Sequence, residues 1–217
     1  MPRRPAVAGM FYEADPNLLK EQIIESYLHP LGPGKLPEVN IKGPRKILGL
    51  ISPHAGYMYS GPIAAHGYYR LASDGKPDTF VILGPNHTGL GSPIATMVGD
   101  YWIMPFGKVE IDSELAKEIV KLSEIIDIDS VAHRYEHSIE VQIPFLQHLF
   151  GEIKIVPIVM MWQTKDVATK IAKAIHEASE KLGKDIVIIA STDLNHYEPH
   201  SETVRKDNMA IDAILRR

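Results

Sequence analysis

Ten histidines and no cysteine set the chemical repertoire of this 217-residue chain. Three of the histidines stand in equivalent places. His54 follows the apolar run Lys46–Ile51, in Ser52-Pro53-His54-Ala55-Gly56. His87 follows Thr79–Leu83, in Gly84-Pro85-Asn86-His87-Thr88-Gly89. His196 follows Asp185–Ala190, in Ser191-Thr192-Asp193-Leu194-Asn195-His196-Tyr197. Near neutral pH an uncharged imidazole keeps a lone pair, which makes it the commonest transition-metal ligand. If the three apolar runs are parallel strands, their carboxyl ends deliver the three rings to one edge. There His54, His87 and His196 would converge on one transition-metal ion. Asp193 would complete a two-histidine-one-carboxylate set, orient an imidazole from behind, or handle protons. Neighbouring Gly56, Gly84 and Gly89 permit close backbone approach, and Pro53 and Pro85 stiffen the loops.

Other candidates surround this set. His133 and His137 are four apart, as in the helical zinc motif, but Arg134 stands where that motif needs glutamate. The segment Glu136-His137-Ser138-Ile139-Glu140 reads either as an acidic helix start or as a proton-handling group at a pocket edge, with His137 as the catalytic candidate. Tyr57 and Tyr59 lie beside His54 and are candidate substrate contacts. Ser191, Asp193 and His196 sit within six residues, too close for a serine triad drawn from separate loops. The dinucleotide fingerprint, the phosphate-binding P-loop and the G-x-S-x-G elbow are all absent.

Several elements must position these groups. Asp15-Pro16 opens a helix whose apolar residues Leu18, Leu19, Ile23, Ile24, Tyr27 and Leu28 recur at helical spacing and which ends at His29-Pro30. Residues 31–44 form a Gly- and Pro-rich loop. Strands are predicted at 46–51, 79–83, 153–159 and 185–190. Helices are predicted at 60–71, from the Asp112 cap to Ser123, at 137–149 with Pro144 kinking it or in its first turn, at 165–182 closed by Gly183, and at 200–216. Residues 84–110 hold short strands and turns. Continuous apolar strands alternating with helices predict a layered α/β fold, with a mixed, largely parallel sheet flanked by helices. No composition break divides residues 1–217, so one domain is expected.

Composition narrows the function. A net charge of −4, with no long run of either sign, argues against a nucleic-acid partner or a polybasic membrane patch. Without cysteine, disulfides, iron–sulfur clusters and thiol nucleophiles are excluded for this chain. No apolar run approaches the ~18 residues that span a membrane, and no secretory leader follows Arg3 and Arg4. The expectation is a cytoplasmic protein that does not engage membranes.

Five segments together carry a family resemblance. They are Pro5-Ala6-Val7-Ala8-Gly9-Met10-Phe11-Tyr12, Ser52-Pro53-His54-Ala55-Gly56-Tyr57 with Tyr59-Ser60-Gly61, Gly84-Pro85-Asn86-His87, Glu136-His137-Ser138-Ile139-Glu140 with Gln142, Pro144 and Phe145, and Ser191-Thr192-Asp193-Leu194-Asn195-His196-Tyr197. Spread from end to end of the chain, they resemble the Memo family. The resemblance implies a fold like that of the class III extradiol (LigB-type) dioxygenases, whose sites use non-haem iron. It also implies a metal pocket with iron or copper at the positions of His54, His87 and His196, with Asp193 alongside. Prokaryotic relatives are often encoded with an AMMECR1-like protein and a radical-SAM protein. Animal members are linked to cell motility, phosphotyrosine-peptide binding and redox signalling.

One departure bears on the site. Members of the family usually run to nearly 300 residues and end in a segment whose Cys-Gly motif brings a cysteine to the pocket. This chain stops at Arg217 and has no cysteine. The expectation is a chain lacking that segment, with no thiolate ligand and an uncovered edge that favours homo-oligomers. Three functions follow. The first is a metal-dependent redox or dioxygenase-type enzyme acting on an unknown small molecule. The second is a non-enzymatic module whose ancestral cleft binds a peptide or protein. The third is a metal-dependent hydrolase.

Overall fold

In a computed structural model, which describes residues 2–216, the chain forms one eight-stranded mixed sheet between two helical layers. Helix α1 (Pro16–Leu28) starts where the sequence predicts, with the Asp15 carboxylate accepting from the Asn17 and Leu18 N–H groups. The first strand, β1 (Gly49–Ser52), begins three residues later than expected. Helix α2 (Tyr57–Asp74) begins three residues earlier than expected and takes Pro62 into its interior. Strand β2 (Thr79–Pro85) follows. The Gly-rich stretch then folds as β3 (Ile94–Thr96) and the hairpin β4 (Tyr101–Met104) and β5 (Gly107–Ile111).

Helix α3 (Ser113–Ser123) takes Asp112 as its cap, through a bond from the Leu115 N–H. A short strand, β6 (Asp127–Ile128), was not signalled by the sequence. Helix α4 covers only Ile143–Phe150. The predicted helix over 137–149 is shorter because Pro144 has no N–H and fits only the first turn. Residues 140–142 form a 3-10 turn instead, and 137–139 are irregular. Strand β7 (Lys154–Met160), helix α5 (Lys165–Leu182), strand β8 (Ile186–Ser191) and helix α6 (His200–Leu215) complete the chain. Gly183 closes α5 at φ 62°, a left-handed torsion that glycine adopts without a Cβ penalty.

The strand order is β1-β8-β2-β7-β3-β6, and β5, paired with β4, also joins β7. The first four strands are mutually parallel; β3 runs antiparallel to β7. Alternate residues of the central strands face opposite layers. Phe80, Ile82, Ile155, Val187 and Ile189 pack with residues of α1, α2 and α4, including Ile23, Tyr68 and Phe145. Val81, Val156 and Ile158 pack with Leu115, Ile119, Ile171 and Ile175 of α3 and α5. Both sheet faces are therefore dry, which explains the continuous apolar strands.

Pro157 in β7 sits between that strand's pairing with β5 (Lys154, Ile155) and its pairing with β3 (Ile158–Met160). It belongs to neither pairing, so its missing N–H interrupts neither. No helix among the described residues is long and apolar enough to cross a membrane.

Candidate metal centre

Parallel pairing brings the carboxyl ends of β1, β8 and β2 to one edge, the usual place for a site in an open α/β sheet. His54 lies two residues past β1, and His87 lies two residues past β2. His137 reaches the same place from the irregular segment before α4. The His54 ring centroid is 5.2 Å from that of His87 and 5.6 Å from that of His137. His87 and His137 stack at 4.6 Å. One ring nitrogen from each of the three lies within 4.8 Å of the others. His54 is buried, His137 half-buried and His87 exposed at its rim.

The sequence reading named His54, His87 and His196 as the metal set. The structure brings the first two together, with His137 as the third member. His196 stands apart. Its side chain is 51% exposed, its ring stacks on Tyr197 at 4.1 Å, and its Nε2 lies 3.6 Å from Asp193 Oδ2. Asp193 is close to the cluster. Its Oδ1 accepts from the backbone N–H groups of His54 (2.5 Å) and Ala55 (3.2 Å), and its Oδ2 lies 3.8 Å from His54 Nε2. Tyr57 turns into the core, where its hydroxyl donates to the Val141 carbonyl at 2.7 Å and its ring packs on Phe145. Tyr59 is 77% exposed.

Glu136 organises two of the three histidines. Its Oε1 lies 2.9 Å from His87 Nδ1 and accepts from the backbone N–H groups of His137 (2.9 Å) and Ser138 (2.8 Å). Its Oε2 accepts from the His87 N–H at 2.5 Å. Burial alone would raise the Glu136 pKa, but the bonds from His87 and the backbone outweigh it and hold the carboxyl below its usual range. The ionised carboxylate only accepts, so a neutral His87 carries its proton on Nδ1 and leaves Nε2 with a lone pair. This carboxylate–histidine pairing is the usual support of a metal-bound imidazole.

Burial favours the uncharged rings of His54 and His137. His54 is pushed down to about 4 by desolvation, although the nearby Asp193 works in the opposite direction. His137 is lowered for the same first reason, against the pull of Glu136. Converging imidazole nitrogens, two of them on rings that burial keeps uncharged, fit a divalent transition metal, and a nearby carboxylate adds to the donor set.

The N-terminal segment supports the cluster from below. Arg3 is buried; its Nη1 lies 2.7 Å from Glu140 Oε2, its Nε donates to the His133 carbonyl (2.7 Å) and its Nη2 to the Glu136 carbonyl (2.6 Å). Glu140, fully buried, also accepts from the N–H groups of Ala6 (2.8 Å) and Val7 (3.0 Å) and from the Tyr12 hydroxyl (2.6 Å). The same segment carries Phe11, whose ring lies 4.8 Å from that of His137.

Sequence reasoning missed Glu136 as an orienting group and Arg3 as an anchor, and it quoted Gln142 only as part of the resemblance, without a role. The signal for the first was present: two glutamates four apart around His137 are costly to bury unless something pairs with both.

The chain matches the family description "Memo-like protein" over residues 3–217. It is 59% identical to a "MEMO1 family protein" of Sulfolobus acidocaldarius over 217 residues, covering 99% of this chain and 76% of that protein. A "MEMO1 family protein" of Sulfurisphaera tokodaii is 58% identical, over 99% of this chain and 77% of its own length. One from Ignicoccus hospitalis is 52% identical, over 98% of this chain and 75% of its own length.

Proposed function

From the premise that this chain belongs to the Memo-like protein family, we propose that it is a metal protein whose His54, His87 and His137 hold one divalent ion, and that it performs redox or dioxygenase-type chemistry on a small molecule. The observation that carries this reading is the convergence of three imidazole nitrogens within 4.8 Å. The carboxylate fixed behind His87 supports it. When bound, an iron or copper ion would supply one-electron chemistry at the cluster.

The chain's own residues would do the rest. Glu136 holds the His87 ring and the backbone of His137 and Ser138 in one orientation. Asp193, whose Oδ2 lies 3.8 Å from His54 Nε2 and 3.6 Å from His196 Nε2, sets a carboxylate beside the cluster that would take a proton from a substrate or water bound there. Phe11 closes one side of His137 and limits water there.

Metal analysis of the purified protein tests the assignment. The expected result is about one equivalent in the wild type and loss of it in the His54→Ala/His87→Ala variant. Equal metal in both would overturn the assignment and leave a binding cleft without an ion. X-ray anomalous scattering at the iron, copper and zinc edges then names the element and its ligands.

A further inference from the structure

The hydrogen bonds behind His54 leave the Ser191 hydroxyl one arrangement. The Gln142 side-chain amide lies between the Pro53 carbonyl and the Tyr68 hydroxyl. A carbonyl oxygen only accepts, so the NH2 group must face Pro53, at 2.8 Å. The amide oxygen then accepts from the Tyr68 hydroxyl at 2.5 Å. The same NH2 group donates to Ser191 Oγ at 2.8 Å. Ser191 Oγ lies 2.6 Å from the Ser138 carbonyl oxygen. Two oxygens that close require a proton between them, and only the serine has one to give. The hydroxyl proton is thereby committed to Ser138. What remains toward His54 Nδ1, 2.9 Å away, is an accepting lone pair.

We infer that Ser191 is a positioning residue which, with its polarity set by Gln142 and the Ser138 carbonyl, locks His54 in the tautomer protonated on Nδ1 and so keeps the Nε2 lone pair turned to the metal cluster. The chemistry that follows from the lock rests on the metal reading above; the lock itself does not. His87 is fixed in a different way. There a carboxylate, which cannot donate at all, fixes the ring. Behind His54 a hydroxyl, which can both donate and accept, has been made a pure acceptor by its other partners. The side chains of Gln142, Ser191 and Tyr68 are all buried, so no water competes for these positions. The geometry also ties ligand to ligand. One hydroxyl joins the His54 ring to the carbonyl next to His137, and Ser138 Oγ in turn donates to the Pro85 carbonyl, two residues before His87, at 2.8 Å.

Histidine-labelled full-length protein, stripped of metal, provides the test. Long-range 1H–15N NMR reads which ring nitrogen of His54 carries the proton, with His54→Asn to assign the signals. The wild type should show the Nδ1–H tautomer. Ser191→Ala should return His54 to the Nε2–H form or a mixture, and weaken metal binding about 10- to 100-fold, measured by competition with a chelator. Ser191→Thr, which keeps the hydroxyl, should restore the Nδ1–H signal. A wild-type His54 protonated on Nε2 would overturn the lock, whether or not any variant folds. A Ser191→Ala protein that keeps the Nδ1–H tautomer would overturn the role of Ser191. A wild type that shows the Nδ1–H tautomer yet takes up no iron, copper or zinc overturns the metal reading and leaves the lock standing.

Discussion

Replacing Arg3 with methionine removes the countercharge of a carboxylate that has no contact with water. Glu140 is held by Arg3, by two backbone N–H groups and by the Tyr12 hydroxyl, at 2.6–3.0 Å. Its remaining three donors are neutral, so the variant leaves a buried charge without a partner, at a cost of about 3–5 kcal/mol. Glu140→Gln makes the opposite error. It leaves the Arg3 guanidinium buried against an amide, again at about 3–5 kcal/mol. The double variant contains neither charge. Its destabilisation should fall short of the sum of the two single changes by at least about 2 kcal/mol. Urea unfolding followed by circular dichroism measures all four corners of this cycle. Each single variant should also lower the thermal midpoint by roughly 6–20 °C, at about 2–4 °C per kcal/mol for a chain of this size. Arg3 also grips the carbonyls of His133 and Glu136, so Arg3→Met should loosen the segment that carries His137. Additive single effects, or an Arg3→Met variant destabilised by less than about 1 kcal/mol, would refute the reasoning.

Three further outcomes are expected. Gly84→Ala should destabilise by about 1–3 kcal/mol in chemical unfolding and weaken metal binding, because its Cβ would stand 2.5 Å from Ser138 Oγ and 2.9 Å from Ser138 Cβ. Glu136→Gln should lower metal affinity about 10- to 100-fold in chelator competition while the fold persists, because an amide satisfies fewer of the four donors that converge on the carboxylate. His133 lies fully buried, pushed down to about 3 by desolvation and by the neighbouring Arg3. The unfolded chain takes up a proton there below about pH 6.5 and the folded chain does not, so this stabilisation is complete above 6.5 and is lost as pH falls toward 3. Between pH 7 and 5 the wild type should lose about 2 kcal/mol more than His133→Asn, measured by urea unfolding at both values.

The fold was legible where local rules act alone. Asp15 and Asp112 cap their helices as read, and the four long apolar runs are the parallel strands. The site was legible to the extent that topology determines it. His54 and His87 meet because β1 and β2 run in the same direction. His196 follows β8 in the same way, yet its loop turns outward, with Leu194 and Tyr197 at left-handed φ of 59° and 58°. His137 was harder to assign. Its apolar followers suggested a helix from 137 onward, which would have made His137 part of a helix start rather than a partner of His87. Pro144 moved that helix start to Ile143 and released the histidine into the cluster. Gln142 and Ser191 stood in the segments that carry the resemblance, but their roles were not legible, because those lie in hydrogen bonds that span 49 and 137 positions.

The three ligands hang from elements of unequal security. Among the described residues β1 is bonded along one side only, to β8, and its Ile51 faces solvent, whereas β2 is bonded on both sides. Local opening of Gly49–Ser52 breaks one ladder; opening of β2 breaks two and exposes the core. An ion held by His54, His87 and His137 would therefore leave by a preferred door. The His54 side would swing away first, with the edge strand, while His87 and His137 stayed stacked on each other and bonded to Glu136. The sheet edge would thus set the rate of metal exchange, and the two histidines away from that edge would keep two of the three ligands in place for the next ion.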